Sequence, residues 1–121
     1  MKFCWTTIYV KNMEESLKFY QGIVGLSLDR RAKATPEMEL AFLGKGVTQV
    51  ELICDQNKSN INMGDSISVG FDAESLDNIK ETLKENNIPI LAGPIQPNPS
   101  IKFLYVHDPN GLKIQFIEFI K

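Results

Sequence analysis

From Phe3 to Val10 the side chains alternate in character. Cys4, Thr6, Ile8 and Val10 point one way, and Phe3, Trp5, Thr7 and Tyr9 the other. That period of two predicts a strand with both faces occupied. The period then lengthens. Met13, Leu17 and Tyr20 mark one face of a helix, Asn12 is a good N-cap with Glu15 three residues on, and Gly25 supplies the stop. Strands are predicted near Leu26–Ala34, Glu37–Leu43 and Thr48–Cys54, with turns at Pro36 and Gly44–Gly46. A polar, turn-rich stretch from Asp55 to Gly64 acts as a linker.

The same order then recurs. Ser66–Phe71 alternates again, and Asp72 or Ser75 caps a helix whose buried stripe is Leu76, Ile79 and Leu83. Asn86 and Asn87 end that helix, and Pro89 prevents its continuation. Short strands follow near Ile90–Ala92, Ile101–Val106 and Lys113–Ile120. Three prolines make Gly93–Ser100 an extended, stiffened loop, and His107–Gly111 reads as a turn. Each half is therefore βαβββ, an internal duplication that pairs Trp5 with Ser66 and Glu51 with Gln115. One helix per strand-rich half argues for an α+β fold. Two βαβββ modules, about 1–55 and 65–121, are expected within a single domain spanning 1–121, forming a cupped, partly closed mixed sheet with the helices on its outer face.

Alternation also divides the chemistry. One face carries Ile8, Val10, Val50, Leu52, Ile67, Val69, Phe71, Ile114 and Phe116, suited to packing under the helices. The other gathers Trp5, Thr7 and Tyr9 with Gln49 and Glu51 from the first half. From the second half it gathers Ser66 and Ser68 with Lys113 and Gln115. Polar and aromatic groups converging on the helix-free face are what a small-molecule site requires. Trp5 offers an aromatic plane for a flat or cationic molecule, Glu51 a charge, and Ser66 and Gln115 hydrogen bonds. Glu51 is the sole general-base candidate, and no Ser-His-Asp or Cys-His constellation is available to the single histidine, His107.

Charge and composition narrow the partners. Thirteen basic against fifteen acidic residues leave a net charge of −2, with no basic run to attract nucleic acid or anionic lipid. Nothing approaches a membrane span or a secretory signal, so a cytoplasmic protein is expected. Cys4 and Cys54 lack metal or redox spacing and read as reduced thiols, bridgeable only if their strands lie side by side.

Two segments carry a resemblance. Ile8–Tyr20 with Gly25-Leu26, and Val106–Glu118 with its Asp-Pro-Asn-Gly turn, resemble the strand–helix signature and closing hairpin of the vicinal-oxygen-chelate superfamily, the glyoxalase, bleomycin-resistance and extradiol-dioxygenase group. The resemblance covers almost the whole chain and includes the duplication. It implies a homodimer and, in metal-using members, two ligands per module: a first-strand His, Gln or Glu and a last-strand Glu. Those positions fall on Trp5, Glu51, Ser66 and Gln115. Only Glu51 is a typical ligand, so the expectation is a chain with no metal and no cofactor. It would hold a planar or cationic organic molecule, as drug-sequestering members do. The alternatives are a lyase, isomerase or dioxygenase-type enzyme of the same group, or a scaffold without a ligand.

Overall fold

A computed structural model describes residues 1–121. The chain falls into two compact units, Met1–Asn62 and Met63–Lys121. Each is one open four-stranded mixed sheet with helical structure on one face, giving the expected α+β class.

In the first unit, strand β1 (Trp5–Tyr9) leads into helix α1 (Met13–Leu17). Asn12 caps it as its sequence predicts, its Oδ1 accepting the Glu15 N–H at 2.9 Å. The helix then widens into a π-helical segment, Lys18–Ile23. Gly25, at φ 84°, closes the turn and lets the Leu26 N–H reach the Tyr20 carbonyl at 2.9 Å. Met13, Leu17, Phe19 and Tyr20 are buried by this arrangement. Strands β2 (Leu28–Thr35), β3 (Met38–Leu43) and β4 (Gln49–Asp55) complete the sheet in the order β1-β4-β3-β2. β1 runs parallel to β4, and the other pairs are antiparallel.

The second unit repeats this with β5 (Ser68–Asp72), α2 (Leu76–Glu85), β6 (Ala92–Asn98), β7 (Ile101–His107) and β8 (Lys113–Phe119), in the order β5-β8-β7-β6. Ser75 caps α2 by accepting the Asn78 N–H at 3.2 Å. Leu76 and Leu83 are almost fully buried where α2 packs on β7 and β8, and Ile79 is half-buried. Burying a leucine side chain stabilises by roughly 1.5–3 kcal/mol, so this stripe anchors an otherwise polar helix. The closing turn is organised by Asp108, whose Oδ1 accepts the backbone N–H of both Asn110 and Leu112 at 2.8 Å.

Two expectations are corrected. The proline-bearing stretch is a strand: β6 covers Ala92–Asn98, where a short strand at Ile90–Ala92 and a following loop were expected. As an edge strand it pairs with β7 at only three positions and through two irregularities, so its prolines break no continuous ladder. The strand expected over Ser66–Phe71 starts two residues later, because β8 begins pairing only where Lys113 meets Ser68. Ser66 and Ile67 precede it, and Ile67, expected in the core, is exposed. The rest of the apolar face behaves as its alternation predicts: Ile8, Val10, Val50, Leu52, Ile114 and Phe116 are all buried, and Val69 and Phe71 half-buried.

Candidate functional site

The helix-free face of each sheet is built by register. In the first unit Trp5 lies beside Gln49, Thr7 beside Glu51 and Tyr9 beside Ile53. On the next strand Phe42 pairs with Glu51, and Arg30 of β2 pairs with Phe42. A single row of side chains therefore crosses the sheet. The indole of Trp5 meets the Phe42 ring edge-on, centroids 5.2 Å apart, and the Arg30 guanidinium lies 3.9 Å over that ring. Glu51, only 8% exposed, accepts the Thr7 hydroxyl on Oε1 at 2.5 Å. That bond compensates a carboxylate whose burial would otherwise be costly. Gln49 Nε2 donates to Asp29 and to the Gly44 carbonyl, both at 3.0 Å.

The second unit has its own version. Ser68 lies beside Lys113 and Gly70 beside Gln115, and Tyr105 of β7 pairs with Gln115. Tyr105 packs edge-on against Phe103, and the Lys113 ammonium sits 5.7 Å from the Tyr105 ring centre. Gly70 has a packing reason: a Cβ there would come within 3.1 Å of Ile117 Cδ1 and 3.3 Å of Gln115 Oε1. Thr7 in one unit and Gly70 in the other thus occupy matching positions with different outcomes. Thr7 bonds its neighbouring carboxylate, whereas Gly70 makes room for its neighbouring amide.

Register also corrects the duplication's pairing. Trp5 is matched by Ser68, since each is the first paired residue of its strand and precedes its helix cap by seven residues, from 5 to 12 and from 68 to 75. Ser66 lies outside the strand and bonds its neighbour Asp65. Glu51 and Gln115 do correspond, as partners of Thr7 and Gly70. Within the first unit the structure brings Trp5, Thr7, Gln49 and Glu51 together and sets Tyr9 further along the strand, under the Lys58 ammonium at 5.2 Å. Within the second it groups Ser68, Lys113 and Gln115 and leaves Ser66 aside. Arg30 of the edge strand β2, and Phe42, Phe103 and Tyr105 of the inner strands β3 and β7, escaped sequence reasoning. The signal was the antiparallel register, which puts Phe42 on the face of Glu51 once the β3–β4 turn is counted.

Other candidates lie elsewhere. His107 is exposed at the end of β7. Cys4 and Cys54 are free; although β1 and β4 are neighbours, Cys4 precedes the pairing with Gln49 and Cys54 follows Ile53 at the opposite end. On the helix-bearing side Arg31 bonds Glu39, Nε to Oε2 at 2.8 Å, and also reaches Glu14 of α1. The Arg31 hydrogen bond holds the Glu39 carboxyl below its ordinary range, and the two carboxylates hold the guanidinium firmly protonated.

The sequence profile of the Glyoxalase/Bleomycin resistance protein/Dioxygenase superfamily matches residues 2–116. The chain belongs to this glyoxalase superfamily. A lactoylglutathione lyase of Neisseria meningitidis is 33% identical over 129 aligned positions, covering 98% of this chain and 91% of the relative. Two solved structures share the fold, each with a TM-score of 0.83. One is the trypanothione-dependent glyoxalase I of Leishmania major, 20% identical over 98% of this chain and 86% of that one. The other is a glyoxalase family protein of Bacillus cereus, 19% identical over 100% of this chain and 95% of that one.

Metal-using members of this superfamily draw two donors from each module, and the residues here do not fit a divalent ion. The first unit offers Trp5, which has no lone pair to donate, and Glu51, the single carboxylate among the four positions. The second offers a neutral hydroxyl and a neutral amide, Ser68 and Gln115. Zinc sites draw on several His, Cys or carboxylate donors, and magnesium sites on carboxylates and water. Nowhere do three His, Cys, Asp or Glu side chains gather closely enough to hold an ion. No helix is long and apolar enough to cross a membrane.

Proposed function

We propose that this glyoxalase-superfamily chain binds a small planar organic molecule without a metal, on the helix-free sheet face that carries Trp5 and Glu51. The observation that carries the reading is the exchange at the superfamily's ligand positions: an indole, a hydroxyl and an amide stand where donors would be needed. Trp5 supplies a platform that is 45% exposed and touches only Phe42 among the aromatic rings. Glu51 supplies a buried, oriented acceptor. A cationic ligand fits less well than a planar one. Phe42, Tyr9 and Tyr105 already have the chain's own cations over their rings, from Arg30, Lys58 and Lys113.

The test is a titration of Trp5 emission with planar aromatic compounds in the presence of a chelator. Trp5 is the sole tryptophan, so the whole signal reports this site. Saturable change supports the reading, and a flat response across a chemically varied panel contradicts it.

A second reading is favoured by the 33% identity to a lactoylglutathione lyase: retained lyase chemistry with Glu51 as general base. It requires lactoylglutathione turnover that is lost in Glu51→Gln. Turnover appearing only with added nickel or zinc would instead restore the metal-dependent account.

A further inference from the structure

Beside Trp5 lies a polar edge that neither the superfamily positions nor Glu51 account for. Asp29 Oδ2 accepts two hydrogen bonds, from Arg30 Nη1 at 2.5 Å and from Gln49 Nε2 at 3.0 Å. Gln49 Nε2 gives its other hydrogen to the Gly44 carbonyl. Both amide hydrogens are thus committed, while Gln49 Oε1 and Asp29 Oδ1 have no protein donor. Arg30 keeps its donors beyond the one bonded to Asp29. The aromatic platform adjoins this edge directly. Gln49 is the register partner of Trp5, and Arg30 lies over Phe42, the ring that Trp5 meets edge-on.

The combination is specific. Asp29 and Arg30 neutralise each other, so the edge has no net charge to attract an ion of either sign. It presents acceptors without protein donors next to donors left over on Arg30. We infer that this edge selects a neutral planar heteroaromatic molecule with a hydrogen-bond donor and acceptor on adjacent ring atoms, as in a cyclic amide. The ring stacks on Trp5. Its N–H faces Asp29 Oδ1 or Gln49 Oε1, and its carbonyl faces the Arg30 guanidinium. This rests on the proposed function and names the ligand class of that same site.

A matched set of bicyclic probes tests it: 2-quinolinone, its N-methyl derivative and N-methylquinolinium. All three are flat. The second lacks the donor, and the third lacks both groups and carries a positive charge. Binding is followed through the indole N–H resonance of 15N-labelled protein, in which Trp5 gives a single peak. 2-Quinolinone should bind saturably and at least tenfold more tightly than either analogue, the loss expected for a hydrogen bond made to a charged group. Arg30→Met, which keeps an apolar stem over Phe42, should weaken 2-quinolinone by at least tenfold without weakening N-methylquinolinium, because the Asp29 carboxylate it leaves unpaired favours a cation. Circular dichroism confirms that the variant is folded.

Equal binding of all three probes overturns the edge and leaves the Trp5 platform standing. Tightest binding of the cation also overturns the edge. No saturable shift with any probe overturns the platform and this inference with it.

Discussion

Replacing Thr7 by valine isolates what keeps Glu51 usable. The substitution preserves side-chain shape and removes one atom's chemistry, the hydroxyl that donates to Glu51 Oε1 at 2.5 Å. A hydrogen bond to a charged group contributes about 1.5–3 kcal/mol, and an acceptor left unsatisfied in the interior costs a similar amount. Glu51 is 8% exposed, but Thr7 sits on the exposed side of the pair, so water replaces part of the lost donor. The net cost should fall at about 1–2 kcal/mol, which lowers Tm by roughly 4–8 °C in a domain of this size. Urea unfolding at pH 7, with an unchanged m-value, measures it directly. Glu51→Gln and the double variant complete a cycle, and the coupling should be about 0.5–2 kcal/mol. A Thr7→Val cost below about 0.3 kcal/mol, or strict additivity with Glu51→Gln, would refute the claim that Thr7 compensates the buried carboxylate.

Three further outcomes follow from other parts of the molecule. The folded-state pKa of Glu39 is depressed by Arg31 from an ordinary value of 4.5, so its contribution is present above that value and disappears as pH falls through the lower folded one. Wild type should exceed Glu39→Gln by less than about 1 kcal/mol at pH 7, because the pair is partly exposed and screened, and the gap should close in acid below 4.5. A gap that persists undiminished at pH 2 contradicts the assignment. Gly93→Ala should destabilise by about 1–3 kcal/mol in thermal unfolding: its φ is 101°, and a Cβ would meet the Phe103 carbonyl oxygen at 2.9 Å. Gly22→Ala serves as its control, having open space around the new methyl and no positive φ, and should be neutral or stabilising.

The features legible in the sequence are those set by local rules. Asn12 and Ser75 cap helices because their side chains reach backbone N–H groups three residues on, a relation written within one turn. Alternation placed Ile8, Val50, Leu52 and Ile114 inside because a paired strand cannot turn one residue without turning all. What escaped depended on where pairing starts. Ser66 and Ser68 have the same parity, so alternation could not separate them. The distance to the helix cap, shared by Trp5 and Ser68, was the usable clue. Arg30 and Phe42 joined the site through a neighbouring antiparallel register, a long-range relation no single segment encodes. The prolines of β6 misled for the opposite reason. Local propensity argued for a loop, but an edge strand needs few of its N–H groups.

Metal independence is tested most directly by native mass spectrometry of the purified chain, equilibrated with equimolar nickel, zinc and manganese and then desalted without chelator. The donor set of Trp5, Glu51, Ser68 and Gln115 predicts the bare polypeptide mass in every case. One ion retained per chain would show that these residues, or others, assemble a metal centre after all, and would contradict the account.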